Sequence, residues 1–301
     1  METRRLEYFV QIIDAGSINR AAAKIGIAQP ALSQQLSILE REFDARLLDR
    51  TSTGVTPTEA GRTLYVRAQV ILRQIASLKL ELSEEAGRIG GIVSLGLPPS
   101  QGGLIGGPML SQARQLFPQM RLQIVEDGAA DLAARLQSGL LDLLISSVRL
   151  ADPALEGEPL FGEELFLIVA KDHRLASMRL HDLAALPWIV PSSLNTIRER
   201  LALAFAQLEL QPNVVAEVNS LPMVIRAVQA GLGVTLLSRG AVAEALADGS
   251  LLALPFSDPA PRRTIYLYRR RAAAPSAAID AVRALVLQIA AGLKAGGAPS
   301  A

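Results

Sequence analysis

Ile25-Gly26-Ile27-Ala28-Gln29-Pro30-Ala31-Leu32-Ser33-Gln34-Gln35-Leu36 decides the fold of this 301-residue chain. Ahead of it, Leu6, Phe9, Val10 and Ile13 form one apolar face of a first helix. Gly16 breaks that helix, and Ser17 is a candidate cap for a second over 18–25, where Ala21-Ala22-Ala23 allows close packing. Gly26 ends the second helix. The third starts near Gln29, with Pro30 in the first turn where its missing amide costs nothing, and runs through Leu32, Leu36 and Leu39. Short helices joined by a tight glycine turn are a helix-turn-helix pattern. The outer face of the third helix carries Gln29, Ser33, Gln34, Ser37 and Arg41. A merely solvated face would be laced with Glu and Lys; this one has groups suited to base edges and phosphates. The competing reading is a plain three-helix bundle.

The next segment argues against the bundle. Leu47-Leu48-Asp49-Arg50-Thr51-Ser52-Thr53-Gly54-Val55-Thr56-Pro57-Thr58 reads as a two-stranded wing turning at Gly54, with Arg50, Thr51 and Ser52 placed to hold phosphates. Thr58 then caps a helix that opens at Glu59. Along it Leu64, Ala68, Ile71, Ile75, Leu78 and Leu82 alternate spacings of four and three, a coiled-coil seam. From 59 to 87 that helix would be about 43 Å long, too long to bury in a winged unit. Its natural use is pairing with a second copy, which would bring two reading heads to two operator half-sites.

The rest of the chain reads differently. Gly90-Gly91 is a hinge-like break. Apolar strands are expected at 92–97, 121–125, 140–146, 163–170, 188–190, 214–218, 233–237 and 263–268, with helices at 104–117, 129–138, 196–207, 221–230 and 276–291. That alternation implies an α/β domain with a parallel sheet. Ligand groups are expected in loops at the carboxyl ends of such strands. Those loops contain Ser100, Gln101, Gly102, Ser147, Arg149, Ser193, Asn195 and Ser220. Helix starts after Ser100, Asn195 and Ser220 favour an anionic or carbonyl-bearing ligand; equally, these residues could cap helices and bind nothing.

Composition narrows the chemistry. The formal net charge is +1, but it is a cancellation: residues 1–80 are mildly basic, 81–261 acidic and 262–301 basic. Cysteine is absent, which excludes disulfides, thiol catalysis, cysteine-based metal sites and a thiol redox switch. The two histidines, His173 and His181, lack an HExxH pattern or a triad context, and no GxSxG, GxGxxG or Walker motif occurs. Glu126-Asp127 reads better as a solvated strand end than as a general acid/base pair. No enzyme is expected, and no cofactor beyond a small organic effector. The amino terminus lacks an export pattern and no apolar run is long enough to span a membrane, so a cytoplasmic protein without a membrane partner is expected.

The chain resembles the LysR-type transcriptional regulators. The resemblance rests on Leu6-Glu7-Tyr8-Phe9, Gly16-Ser17 with Ala21-Ala22, Gln29 through Leu36, Leu39-Glu40, Leu47-Leu48-Asp49-Arg50 and Thr56-Pro57-Thr58-Glu59-Ala60-Gly61. It is strongest over 1–61, and within the family it points toward the nitrogen assimilation control (Nac/Cbl-like) group. Ala28, Asp44 and Leu48 depart from the usual Ser, Gly and Phe. The resemblance implies a winged helix-turn-helix over 1–58, a linker and dimerisation helix over 59–89, and an effector domain over 92–301. That domain would be periplasmic-binding-protein-like, with subdomain I at about 92–161 and 266–301 and subdomain II at about 162–265. It further implies DNA contacts from Gln29, Pro30, Ala31, Ser33, Gln34, Ser37, Arg50, Thr51 and Thr53, a small-molecule inducer, and dimers that assemble into tetramers. RNA polymerase is a further candidate partner. The alternative from the residues alone is a soluble small-molecule-binding protein with an incidental helical amino-terminal domain.

Overall fold

The computed structural model describes residues 2–51, 54–82, 89–173, 178–191, 196–257, 261–273 and 276–295. The chain divides into two compact units, Met1–Ile92 with Ser138–Leu140, and Val93–Gln137 with Leu141–Ala301.

The first unit contains α1 (Thr3–Ala15), α2 (Ile18–Ile25), α3 (Gln29–Glu42), β1 (Leu48–Thr51), β2 (Gly54–Pro57) and α4 (Glu59–Leu82). Its core joins Leu6, Phe9 and Ile12 of α1 to Ala21, Leu32, Leu36 and Leu39. Gly16 and Gly26 take left-handed conformations (φ 62° and 78°) that turn the chain between helices at no steric cost. Ser17 stands at the start of α2, but its hydroxyl makes no capping bond; the first turn closes through its carbonyl, which accepts the Ala21 amide. Thr58 does cap α4, its Oγ1 accepting the Gly61 amide at 3.0 Å. The wing is an antiparallel ribbon, Leu48 opposite Pro57 and Thr51 opposite Gly54. A Cβ on Gly61 would lie 1.9 Å from the Leu47 carbonyl oxygen, so only glycine lets α4 start so close to the wing.

The second unit begins with β3 (Gly91–Leu97), α5 (Gly107–Leu116), β4 (Met120–Glu126), α6 (Ala129–Ser138), β5 (Leu143–Ser146) and β6 (Leu155–Glu164). It continues with β7 (Phe166–Ala170), α7 (Leu180–Leu183), β8 (Trp188–Val190), α8 (Thr196–Ala206), β9 (Val214–Glu217) and α9 (Leu221–Gln229). β10 (Thr235–Leu237), α10 (Ala243–Ala247), β11 (Leu251–Leu254), β12 (Arg262–Arg270) and α11 (Ala277–Ala295) complete it. One five-stranded sheet has the order β4-β3-β5-β12-β6, and a three-stranded sheet the order β10-β7-β11. β3 and β5 are parallel, as the alternation of strand and helix implies. β8 and β9 also pair in parallel, but the expectation fails elsewhere in the two larger sheets. β12 is antiparallel to both β5 and β6, and β7 is antiparallel to β10 and β11. No helical crossover links β12 to its neighbours, so nothing forces the parallel direction there.

The helix expected at 104–117 is α-helical only from Gly107; a 3-10 turn over Pro99–Gln101 and a π turn over Gly102–Gly106 precede it. Glycine-rich sequence favours these irregular turns over an early α start. Around the three-stranded sheet of the second unit a core includes Trp188 and Phe205, whose rings meet edge to face at 5.7 Å.

Tyr268 on β12 packs beside Gly157 and accepts the Leu150 amide at 2.9 Å. Burial raises its phenol above the ordinary value of 10.0, opposed in part by that hydrogen bond. An unfolded chain therefore releases this proton first. The associated stability is whole below pH 10.0 and is lost as pH rises through the folded value. Tyr268→Phe should cost about 1 kcal/mol at neutral pH and flatten the alkaline slope of stability. Urea titrations at neutral and alkaline pH measure both effects.

Candidate DNA interface and ligand cavity

Leu32, Leu36 and Leu39 fix the orientation of α3 by burying its inner face. The outer face is then presented to solvent: Gln29, Pro30, Ala31, Gln34 and Ser37 are exposed and Ser33 half-buried. The Gln29 amide donates to Ser33 Oγ at 2.7 Å, and the Ser37 hydroxyl to the Ser33 carbonyl at 3.1 Å. Gln34 has no partner among the described residues, so its amide is free to engage an outside group. Arg50 on β1 is likewise exposed and unpartnered among them, whereas the Thr51 hydroxyl donates to the Gly54 carbonyl. Thr53 lies outside the described residues.

Helix and wing are locked together. Glu40 Oε1 accepts the Leu47 amide at 2.8 Å and the Leu48 amide at 3.4 Å. The Val55 amide donates to the Gly16 carbonyl at 3.1 Å. At Gly54 (φ 147°) a Cβ would meet that same carbonyl oxygen at 2.2 Å. The sequence pattern marked Leu39-Glu40 without revealing this anchoring role, because the amides it serves lie beyond the helix.

The seam on α4 is shared between two tasks. Ala68 is fully buried in the unit's own core, which corrects its reading as a pairing residue; Leu64 packs against that core but stays half-buried. Ile71 and Leu78 face outward, 36% and 52% exposed. Next to them an open groove of about 960 Å³ is lined by Leu6, Phe43, Leu47, Ala60, Leu64 and Ile71.

In the second unit a cavity of about 310 Å³ opens among the ends of β3, β4, β5, β8 and β9 and the starts of α6, α8 and α9. Ser100 and Ser147 line it, as expected. Gln101, Gly102, Arg149 and Ser220 are not among its lining residues. Gln101 is turned away and fully buried, donating to the Glu163 carboxylate at 3.1 and 3.3 Å. Arg149 and Ser220 are exposed. Ser193 and Asn195 lie outside the described residues.

The group at the centre of this cavity, Arg263, was not foreseen. Its residue pair on β12 and β6, Arg263 opposite Glu163, brings together side chains one hundred positions apart. Arg263 is 4% exposed; its Nε donates to Glu163 Oε2 at 2.5 Å, Nη2 to Ser100 Oγ at 3.0 Å and Nη1 to Thr196 Oγ1 at 3.4 Å. Thr196 Oγ1 also lies 2.7 Å from Ser147 Oγ. The network gives the cavity a floor of ordered hydroxyls with a neutralised cation behind them. Asp127, Asp131, Asn219 and Thr235 complete its polar lining, and of these Asp127, Asp131 and Thr235 were also missed. An "Arg-Arg-Thr" run in a strand carries no sequence signal for such a role; the strand register supplies it.

Comparison with known proteins fits this division. Residues 3–62 match the bacterial regulatory helix-turn-helix protein, lysR family, and residues 86–291 match the LysR substrate binding domain. The nitrogen assimilation regulatory protein nac of Klebsiella aerogenes is 36% identical over 242 residues, covering 80% of this chain and 79% of that one. An OxyR C206 mutant of Corynebacterium glutamicum superimposes with a TM-score of 0.63 at 26% identity, covering 98% of this chain and 94% of that one. Full-length CbnR complexed with its target DNA shares the fold at a TM-score of 0.75 and 18% identity, over 97% and 99% of the two chains. The chain belongs to the LysR family of DNA-binding transcriptional regulators. It is a regulator that responds to a small-molecule effector, which leaves no place for the incidental-domain alternative.

Proposed function

We propose that this regulator reads its operator with the outer face of α3, with Gln29, Pro30, Ala31, Ser33, Gln34 and Ser37 in the major groove. Arg50, Thr51 and Thr53 hold the flanking backbone. The observation that carries this is the exposed Gln34 and Arg50, unpartnered among the described residues, on a helix and wing fixed to one another by Glu40. A glutamine amide offers a donor and an acceptor that match adenine bidentately, whereas an arginine on the wing supplies sequence-independent phosphate affinity.

In this reading residues 1–58 form the reading head, 59–89 the pairing helix and 92–301 the effector domain. Two copies pair through Ile71, Ile75 and Leu78 and the adjoining apolar groove, and pairs assemble into tetramers. The effector binds in the cavity around Ser100, Ser147 and Thr196, shifting the balance between arrangements of the paired heads. The protein acts in the cytoplasm, without catalysis of its own; among the described residues no helix is long and apolar enough to cross a membrane. RNA polymerase is the further partner of an activating form.

An operator selected from random duplexes tests the interface. Gln34→Ala should weaken it by about 1–3 kcal/mol and relax preference at one base pair. Arg50→Ala should weaken all duplexes alike and lower the salt slope by about one. Unchanged selectivity in Gln34→Ala, measured at matched salt, would remove α3 from base readout.

A further inference from the structure

The charges around the ligand cavity do not suit a simple organic anion. Among the described residues that line it Arg263 is the only cation, and Glu163 neutralises it at 2.5 Å. Two carboxylates, Asp127 and Asp131, lie on the lining at the start of α6. Asp127 is partly engaged: its Oδ1 accepts the Gly128 amide and its Oδ2 lies 3.6 Å from Arg135. Asp131, exposed at the mouth, has no hydrogen-bond or ion-pair partner among the described residues.

A second observation points to a ligand independently of those charges. Thr235, also on the cavity lining, is 1% exposed, and its Oγ1 has no hydrogen-bond partner among the described residues. Buried hydroxyls are ordinarily satisfied, and one left unmade beside a cavity is matched by a polar atom that enters it. Ser100, Ser147 and Thr196 add hydroxyls already ordered by Arg263, able to hold further polar atoms without a free positive charge. The volume of about 310 Å³ restricts the occupant to a small solute.

Resting on the reading of this cavity as the effector site, we propose that the effector is a small primary amine with a polar second end, of the amino-acid class. Its ammonium sits at Asp131 and Asp127, and its polar end meets Thr235 and the Ser100, Ser147 and Thr196 hydroxyls. A dicarboxylate meets two like charges at the same mouth and is rejected.

The test uses the full chain with the common L-amino acids, their N-acetyl forms, and succinate and acetate as probes, followed by melting temperature and calorimetry. At least one amino acid should raise the melting temperature and bind. Its N-acetyl form and the Asp131→Asn variant should each lose about tenfold in affinity or more, the scale of one charge-assisted hydrogen bond. Thr235→Val should weaken the same ligand while circular dichroism shows an unchanged fold. The proposal is overturned if no amino acid binds at about 10 mM, tenfold weaker than the roughly −4 kcal/mol of a millimolar complex, if Asp131→Asn binds as tightly as the parent, or if succinate is preferred. Succinate binding weakened by Ser147→Ala or Thr235→Val would overturn the amine while keeping the cavity. Binding insensitive to all three substitutions would overturn the cavity as the effector site as well.

Discussion

Arg263→Ala should destabilise the effector domain by about 3–5 kcal/mol, the cost of stranding one member of a buried ion pair. Glu163 is nearly as buried as Arg263, so of its described hydrogen-bond partners the carboxylate left behind would keep only the Gln101 amide. Ser100 and Thr196 would lose a donor at the same time. For a domain of this size the loss corresponds to a fall in melting temperature of roughly 10 °C. The double change Arg263→Met with Glu163→Gln should recover most of it, because it removes both charges and retains volume. A loss below about 1 kcal/mol in urea unfolding would mean that the pair is solvated and contributes as a surface bridge does.

Ile71→Glu combined with Leu78→Glu should convert the protein to monomers while leaving its reading head folded. Both side chains are exposed within their own unit, whereas Ala68, which closes the core, is untouched. Placing four carboxylates at one seam opposes pairing both by lost apolar burial and by like-charge repulsion. Operator affinity should then fall by about 100-fold or more, because the second half-site no longer binds at the high effective concentration that linkage provides. Sedimentation and a salt-matched binding titration measure the two effects separately. A dimer that persists would place the pairing surface elsewhere.

The reading head was legible because its physics is local. Leucine spacing orients α3, Gly26 permits the turn, and Thr58 supplies a cap three residues ahead of the amide it serves. The seam on α4 was legible only in part: spacing marks an apolar stripe but cannot say which of its residues the unit's own core consumes. Ala68 goes inward and Leu78 stays out. The cavity was the least legible. Its decisive pair, Arg263 and Glu163, depends on an antiparallel register between strands far apart in the chain. The strand β6, with residues Leu155–Glu164, lacks clean alternation and was only partly anticipated, so the pairing had no sequence signal. Gln101 illustrates the reverse error. It lies in the expected loop, but the π turn over Gly102–Gly106 follows it and its side chain is committed to Glu163.

Glu40 anchors the wing from within α3, and Gly16 receives Val55 by its carbonyl. These ties make no use of the side chains at 34 and 50, which carry no hydrogen-bond duty of their own among the described residues. Exposed positions without such duties tolerate replacement at a cost usually within about 0.5 kcal/mol. The head is therefore a chassis with interchangeable lettering: its descendants can drift to new operator sequences one substitution at a time without passing through an unstable intermediate.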